Sequence, residues 1–161
     1  MLRKRFLFGG LPLAAVFAVG SCSDDVGPTV GEHFVANLSG ANEVPAVTTS
    51  ATGTADFTVF KELPGIFFKL NVTGPFTDSV IAAHIHGPAD PTQSVGVIVT
   101  LFSGKAGPAV TGTLAQGVLA TPSVPMTFDS LLVLLRTGQA YVNVHTKTNA
   151  GGEIRGQVAK Q

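Results

Sequence analysis

The 161-residue chain contains one cysteine, one tyrosine and no tryptophan, and only 12% of its residues are charged. A single cysteine excludes an internal disulfide bond. Soluble domains average about 25% charged residues, and here ten basic residues balance ten acidic residues, so the formal net charge is zero. A neutral, charge-poor chain lacks the basic surface that binds nucleic acid. We therefore expect no nucleic-acid partner.

Motifs of the common enzyme classes are also absent from the sequence. No glycine-rich phosphate loop follows a strand-like segment, and no nucleophile elbow is present. A serine and a histidine could in principle form a hydrolytic pair, but no local signature supports one. We therefore assign no catalytic residue from the sequence, and we prefer a binding function without turnover.

The first 22 residues have the features of a lipoprotein signal peptide. Three basic residues (3–5) precede an apolar stretch (6–19), which has signal-peptide length and is short for a membrane span. The stretch ends in Val-Gly-Ser-Cys, which resembles the lipobox of bacterial lipoproteins, although Gly20 replaces the more usual Ala or Ser. We expect residues 1–22 to be a signal peptide with Cys22 as the lipidated residue. The alternative is a plain secretory signal with an incidental cysteine.

The expected lipid at Cys22 would attach the protein to a membrane of the bacterial cell envelope. Residues 23–31 contain Gly, Pro and polar residues and are predicted to be a flexible tether. The folded domain then occupies residues 32–161. The resemblance to bacterial lipoproteins implies that Ser23, in place of Asp after the cysteine, directs export to the outer membrane, with the domain facing either the periplasm or the cell surface.

The remainder of the chain alternates short apolar segments with turn signals, a pattern that indicates strands. We predict an all-β fold, an antiparallel β-sandwich of the Greek-key, immunoglobulin-like or superoxide-dismutase-like kind, with about seven or eight strands. The segment 95–104 is apolar almost throughout, which predicts a central strand buried on both faces. The strand-like segments are 33–40, 53–60, 65–74, 79–87, 95–104, 109–120, 140–146 and 152–159.

One segment departs from the β pattern and predicts a short helix near 127–137. Four leucines between 131 and 135 lie on one side of a helical wheel. Thr127 suits the N-cap, and Gly138 suits the C-terminal stop.

Polar residues recur at alternate positions in three of the predicted strands. Because residues i and i+2 of a strand share a face, His84 and His86 lie opposite Ile81, Ala83 and Ile85. The same alternation places Val142, Val144 and Ile154 toward the core. We therefore expect one polar surface that gathers the residues His84, His86, Tyr141, Asn143, His145, Glu153 and Arg155.

The three histidines of this surface are the candidate ligands of a metal ion. Imidazole suits copper and zinc, and two histidines from one strand with a third from a neighbour make a recurrent ligand geometry. Asn143 and Glu153 are then predicted to orient the imidazoles. Alternatively, Glu153 pairs with Arg155, which lies two residues away on the same face. His33 is expected to be a solvated residue near the N-terminus.

Four separated segments resemble the CHRD domain, which is repeated in chordin and occurs singly in many bacterial secreted proteins. The segments are LSGANEVPAV, AAHIHGPA, LLRTGQAYVNVHT and GGEIRGQV. They occur in the order and spacing of that family over about residues 33–159, with Ala46 in place of a second proline. The resemblance implies no established enzyme activity. It does not imply growth-factor antagonism, because the cysteine-rich repeats of chordin are missing here. The family pattern includes the polar residues of the three strands.

Three functional hypotheses follow from these observations. The first is a lipid-anchored module whose histidines bind copper or zinc without turnover. The second is a structural or adhesive envelope module without metal, which contacts an unknown partner. The third is a metalloenzyme, because the H-x-H pair and Arg155 distantly resemble copper-zinc superoxide dismutase. The chain has too few histidines for that enzyme's two-metal site, and similar architecture does not transfer function.

Overall fold

The computed structural model describes residues 29–63, 65–119 and 126–161. The predicted signal peptide, Cys22 and most of the predicted tether lie outside these residues. No helix in the described part is long and apolar enough to cross a membrane. The elements are β1 Val30–Ser39, a 3-10 turn Gly40–Asn42, β2 Thr52–Phe60, β3 Ile66–Thr73, β4 Val80–His86, β5 Val97–Ala106, β6 Thr111–Leu119, α1 Phe128–Arg136, β7 Tyr141–Thr146, β8 Ile154–Gln157 and β9 Ala159–Lys160.

The strands confirm the predicted antiparallel β fold with one short helix. Every pairing in the described sheet is antiparallel, and the strand order is β5-β4-β7-β8-β1-β2-β3-β6, with β9 also paired to β1. The two outermost strands, β5 and β6, are joined by the short connection 107–110. The sheet therefore curls until its ends nearly meet, and it resembles a barrel more than two separate sheets. Long β1 links the two halves because it pairs with β2 on one side and with β8 and β9 on the other.

The prediction that segment 95–104 forms a central strand is wrong. This segment contains β5, which lies at the end of the strand order. Ile98, Val99 and Leu101 are buried, but Thr100 and the second half of the strand are largely exposed. The apolar run therefore indicates only that part of the strand is buried. The position of the strand in the sheet depends on its pairing with distant segments, which the run does not predict.

The helix forms where its sequence signals predict it. Thr127 Oγ1 accepts a hydrogen bond from the Ser130 amide at 3.1 Å, and this bond caps the first turn. Gly138 follows the helix with φ of 67°, a left-handed conformation that glycine adopts readily. The four leucines of the predicted face, Leu131, Leu132, Leu134 and Leu135, are all buried in the core.

A β-bulge changes the predicted face of one residue in β4. Ile81 was expected in the core, yet its exposed fraction is 37%. The register of β4 shifts between Val80 and Ala82 against both neighbouring strands, so Val80 takes the core position. The alternation resumes after the bulge, with Ala83 and Ile85 buried in the core. The bulge therefore leaves His84 and His86 on the predicted face.

The polar face is covered by two loops, so the prediction of a surface site is wrong. Loop 40–51 joins β1 to β2, and loop 87–96 joins β4 to β5. The second loop provides the Ala89, Asp90 and Val95 carbonyls that accept hydrogen bonds from side chains of this face. The β7 residues of this face, Tyr141, Asn143 and His145, are consequently buried, as are the core residues Val142 and Val144 on the opposite face.

Candidate metal centre

The three predicted ligands come together on the covered face of the sheet. His84 and His86 lie on β4 and His145 lies on the paired strand β7, where Ala82 is the direct partner of His145. One ring nitrogen from each histidine lies within 4.8 Å of the others. His84 is partly exposed, whereas His86 and His145 are only 6% and 8% exposed. The cluster therefore reaches solvent mainly beside His84.

Backbone carbonyls fix the tautomers of the two buried histidines. His86 Nδ1 donates to the Val95 carbonyl at 2.8 Å, and His145 Nδ1 donates to the Ala150 carbonyl at 2.9 Å. A carbonyl oxygen only accepts, so each Nδ1 carries the proton and each Nε2 of the neutral ring keeps its lone pair. A hydrogen bond from the ring nitrogen that does not bind the metal is the usual support of a metal-binding histidine.

The third histidine occupies the lone pair of His145. The Nδ1 atom of His84 lies 2.9 Å from His145 Nε2. Since His145 Nε2 is an acceptor, His84 Nδ1 is the donor of this bond. The corresponding Nε2 of His86 is buried and has no hydrogen-bond partner among the described residues. The cluster thus contains one occupied and one unused buried imidazole lone pair.

Burial keeps all three imidazoles neutral. Burial and the neighbouring His145 and His86 lower the pKa of His84 to about 4. Burial also lowers the pKa of His86 and of His145, although the hydrogen bonds to Val95 and Ala150 oppose this effect. Neutral imidazole is the form that binds metal ions, so protons compete weakly for this cluster at neutral pH.

A single metal ion requires the three rings to move closer together. Three nitrogens bound to one zinc ion lie about 3.3–3.6 Å apart, because each Zn–N bond is about 2.0–2.1 Å long and the N–Zn–N angles are about 109–120°. The separations of up to 4.8 Å must therefore shrink by a little over about 1 Å. The 2.9 Å pair must widen slightly, and the proton on His84 Nδ1 must move to Nε2. The partly exposed side of His84 gives that Nε2 proton access to water.

Two of the other predicted residues support the ring of His86. Tyr141 lies parallel to His86, with an interplanar angle of 3° and ring centroids 4.8 Å apart. The guanidinium carbon of Arg155 lies 3.5 Å from the Tyr141 ring centroid. Because β7 lies between β4 and β8, the histidine and the arginine cover opposite faces of the tyrosine. The tyrosine hydroxyl also bonds the backbone of Val95, which in turn holds His86 Nδ1.

Comparison with known proteins identifies the family. Residues 34–158 match the sequence profile of the CHRD domain, which covers most of the chain. The chain belongs to the CHRD domain family. It is also 34% identical to chordin of Danio rerio over an alignment of 129 residues, and the match covers 75% of this chain and 12% of chordin. The chain therefore spans about an eighth of that relative, and no solved structure shows a significant match.

Glu153 of this CHRD domain lies apart from the histidines, contrary to its predicted role. Its carboxylate accepts five hydrogen bonds, none of them from a histidine or from Arg155. Burial raises the pKa of Glu153 and these bonds lower it, and the balance is a lowered pKa. Glu153 therefore ties neighbouring loops together as a buried carboxylate. The donors are Thr49 Oγ1, the Thr77 amide and hydroxyl, Thr146 Oγ1 and Asn149 Nδ2.

Asn143 joins the cluster's surroundings, together with Glu43, which the sequence analysis missed. Asn143 lies beside His86 and raises its pKa, and its Nδ2 donates to the Gly151 carbonyl at 3.2 Å. Its Oδ1 is buried without a hydrogen-bond partner among the described residues. Gly152, with φ of 130°, leaves room for the Asn143 amide and the Glu43 carboxyl, because a Cβ there would collide with both. Burial raises the pKa of Glu43 to about 7, although nearby Arg155 lowers it. Glu43 lies within a quoted family segment, but no periodic pattern marked it as buried.

Proposed function

We propose that this CHRD domain binds one copper or zinc ion through His84, His86 and His145. The observation that carries the proposal is the buried Nε2 of His86, which has no partner among the described residues. Leaving a buried polar atom without a hydrogen bond is unfavourable, and a metal ion would satisfy it. His145 Nε2 lies in the same cluster with its tautomer already fixed by Ala150.

The chemistry of the donor set favours copper or zinc over hard cations. Three neutral imidazoles provide nitrogen ligands, whereas calcium and magnesium prefer oxygen ligands. No fourth His, Cys, Asp or Glu joins the cluster within the described residues. A bound ion would therefore keep a coordination position for water or another small ligand, on the side of the partly exposed His84.

The lining of the two principal clefts favours binding over turnover. None of the three histidines lines either of these clefts in the described structure. A metalloenzyme needs an open coordination position and also a place for its substrate beside the metal. The roles that fit a three-histidine site outside these clefts are metal sequestration, metal delivery or a metal-stabilised domain.

Metal content of the purified chain tests the proposal. Copper and zinc are offered at equal concentration, excess metal is removed, and bound metal is quantified by mass spectrometry. We expect about one ion per wild-type chain and a loss of most of it in His86→Ala and His145→Ala. His33→Ala is the matched control, because His33 lies outside the cluster and pairs with Asp56 near the surface. Equal metal content in all four proteins would overturn the proposal.

The hydrogen bond between His84 and His145 favours one alternative function, a structural or adhesive module without metal. In a structural or adhesive module, this bond and the stack of Arg155, Tyr141 and His86 would simply hold the covering loops. That function predicts no bound metal in the wild type and a large loss of stability in His145→Ala.

We propose further that the domain is carried on the bacterial cell envelope by a lipid on Cys22. The support is the sequence of residues 1–22, with its basic start, short apolar stretch and cysteine after small residues. Fractionation of expressing bacteria tests this, with detergent extraction of inner and outer membranes. We expect wild-type chain in the outer membrane and Cys22→Ser chain released from it. Membrane retention of the Cys22→Ser variant in the same amount would contradict lipid anchoring.

A further inference from the structure

A cleft of about 610 Å³ lies over the sheet, and no histidine is among its lining residues. Its floor is formed by β1, β8 and β9, and its walls include parts of segments 41–44 and 91–92. Pockets that hold small molecules commonly have volumes of about 300–1,000 Å³. The cleft therefore has the size of a ligand site.

Side-chain amides dominate the polar lining of this cleft. An amide provides a donor and an acceptor on neighbouring atoms, which matches adjacent hydroxyl groups of a ligand. The Nδ2 atom of Asn42 donates to the Asn37 and Arg155 carbonyls. Its Oδ1 atom is therefore left to accept a hydrogen bond from another partner. Four of the lining residues carry a carboxamide: Asn37, Asn42, Gln157 and Gln161.

Three lining residues also hold buried polar atoms that have no partner among the described residues. The Nη1 atom of Arg155 is a donor, and the Oε1 atom of Gln157 is an acceptor. The Oε1 atom of Glu43 is an acceptor when Glu43 is ionised. Arg155 and Glu43 are 1% and 7% exposed, so their charges are held within the protein. Since unused donors and acceptors occur together, the complementary group must both donate and accept, as a hydroxyl does.

Charge and sheet topology exclude two other ligand classes. Above the raised pKa of Glu43, about 7, Arg155 and Glu43 carry opposite charges, so these two side chains then have no net charge to attract an anion. An extended peptide usually binds by pairing with a free strand edge. Here β1 is paired with β2 on one side, and on the other side β9 pairs at Phe34 and Val35 and β8 pairs at Ser39, so only residues 36–38 lack a strand partner there.

We propose that this cleft binds a short neutral saccharide. Exposed Asn37 and Asn42 at the rim bond the first hydroxyl groups. The unpartnered atoms of Glu43, Arg155 and Gln157 are closed to solvent, so the exposed amides make the contacts that the open cleft offers. The cleft contains none of the three proposed metal ligands, because no histidine is among its lining residues.

Chemical-shift mapping on the ¹⁵N-labelled full chain tests this proposal. The probes are maltotriose, cellotriose and triacetylchitotriose at millimolar concentration, with trialanine amide and acetate as the peptide and anion probes. We expect one of the saccharides to cause saturable shifts in the amide signals of Asn37, Asn42 and Gln157. The expected Kd is about tenfold weaker in Asn37→Ala and in Asn42→Ala, since each variant loses a hydrogen bond. Gln116→Ala is the matched control, because Gln116 is an exposed carboxamide on β6, outside the cleft.

Each other outcome overturns the proposal. Absence of saturable shifts with all three saccharides, an unchanged Kd in both asparagine variants, or saturation by trialanine amide or acetate alone would do so. If Asn42→Ala folds poorly, Asn37→Ala still tests the proposal. Asn37 is exposed, and its side chain forms no hydrogen bond to a neighbouring residue in the described structure. Metal content measured on the same variants separates this result from the metal proposal, since neither asparagine belongs to the histidine cluster.

Discussion

His84 Nδ1 and His145 Nε2 lie 2.9 Å apart, although the two residues are separated by 61 positions in the chain. This bond uses a lone pair that a metal ion would need. The metal-free cluster is therefore closed by a hydrogen bond, and metal binding must exchange that bond for coordination. The exchange requires a proton shift within His84 and a movement of the rings that brings their ligand nitrogens closer by about 1 Å.

The stability of the metal-free protein should depend on the charge state of His84. Its folded pKa of about 4 lies below the ordinary value of 6.5, so the unfolded chain binds more protons between these pH values. His84 therefore lowers the free energy of unfolding as pH falls from about 7 to about 4. Denaturant titrations should show that the stability of wild type relative to His84→Gln falls across this range. A constant difference would contradict the burial of a neutral His84, and His33→Gln serves as the control.

Glu43 should give the opposite pH dependence. Burial raises its pKa from 4.5 to about 7, so the folded chain binds more protons than the unfolded chain between these values. Its contribution to the free energy of unfolding therefore falls as pH rises from about 4.5 to 7. As pH rises from 4.5 to 8, we expect the free energy of unfolding of Glu43→Gln to increase by roughly 1–3 kcal/mol relative to that of wild type. Parallel stability curves would contradict this, and the exposed Glu62→Gln is the matched control.

Tyr141→Phe should weaken metal binding without abolishing it. The variant keeps the ring that stacks on His86 but removes the hydroxyl bonds to the Val95 backbone. Val95 then holds His86 Nδ1 less firmly. Loss of such supporting bonds commonly weakens metal affinity by about 10–100-fold, and we expect the lower end because the His86 bond itself remains. Competition with a chromogenic chelator measures the effect, and an unchanged Kd would show that the hydroxyl does not position His86.

Glu153→Gln should affect stability rather than metal binding. The carboxylate accepts five hydrogen bonds from residues in three segments, and an amide cannot accept all of them. We expect a loss of roughly 2–4 kcal/mol in the free energy of unfolding, with one metal ion still bound to the folded fraction. Loss of metal at full stability would instead restore Glu153 to the role predicted from the sequence. Glu62→Gln again provides an exposed control.

The sequence predicted the parts of the site that depend on local periodicity. Side chains alternate along any strand, so the shared face of His84 and His86 followed from their spacing. The faces of Tyr141, Asn143 and His145 followed in the same way, and the structure brings the three histidines together. The helix near 127–137 was predictable for a similar reason, because its cap and its leucine spacing are local features.

Features that depend on distant contacts were not predictable. The burial of the polar face comes from loops 40–51 and 87–96, whose sequences have no repeating pattern that indicates what they cover. Glu153 precedes β8, so the alternation of that strand did not govern its direction. The bulge at Ile81 and the edge position of β5 depend on pairing with other strands. The carbonyls of Val95 and Ala150 are backbone groups and have no side-chain signature.

The most direct test of the metal centre is the state of its imidazole nitrogens. Long-range ¹H–¹⁵N spectra distinguish Nδ1 from Nε2 in each of the four histidines, before and after one equivalent of zinc. Without metal, we predict protonated Nδ1 and bare Nε2 in His86 and His145. With zinc, we predict coordination shifts at both Nε2 atoms and at one nitrogen of His84, with His33 unchanged. Unchanged signals from the cluster, or a shift confined to His33, would contradict a metal centre formed by His84, His86 and His145.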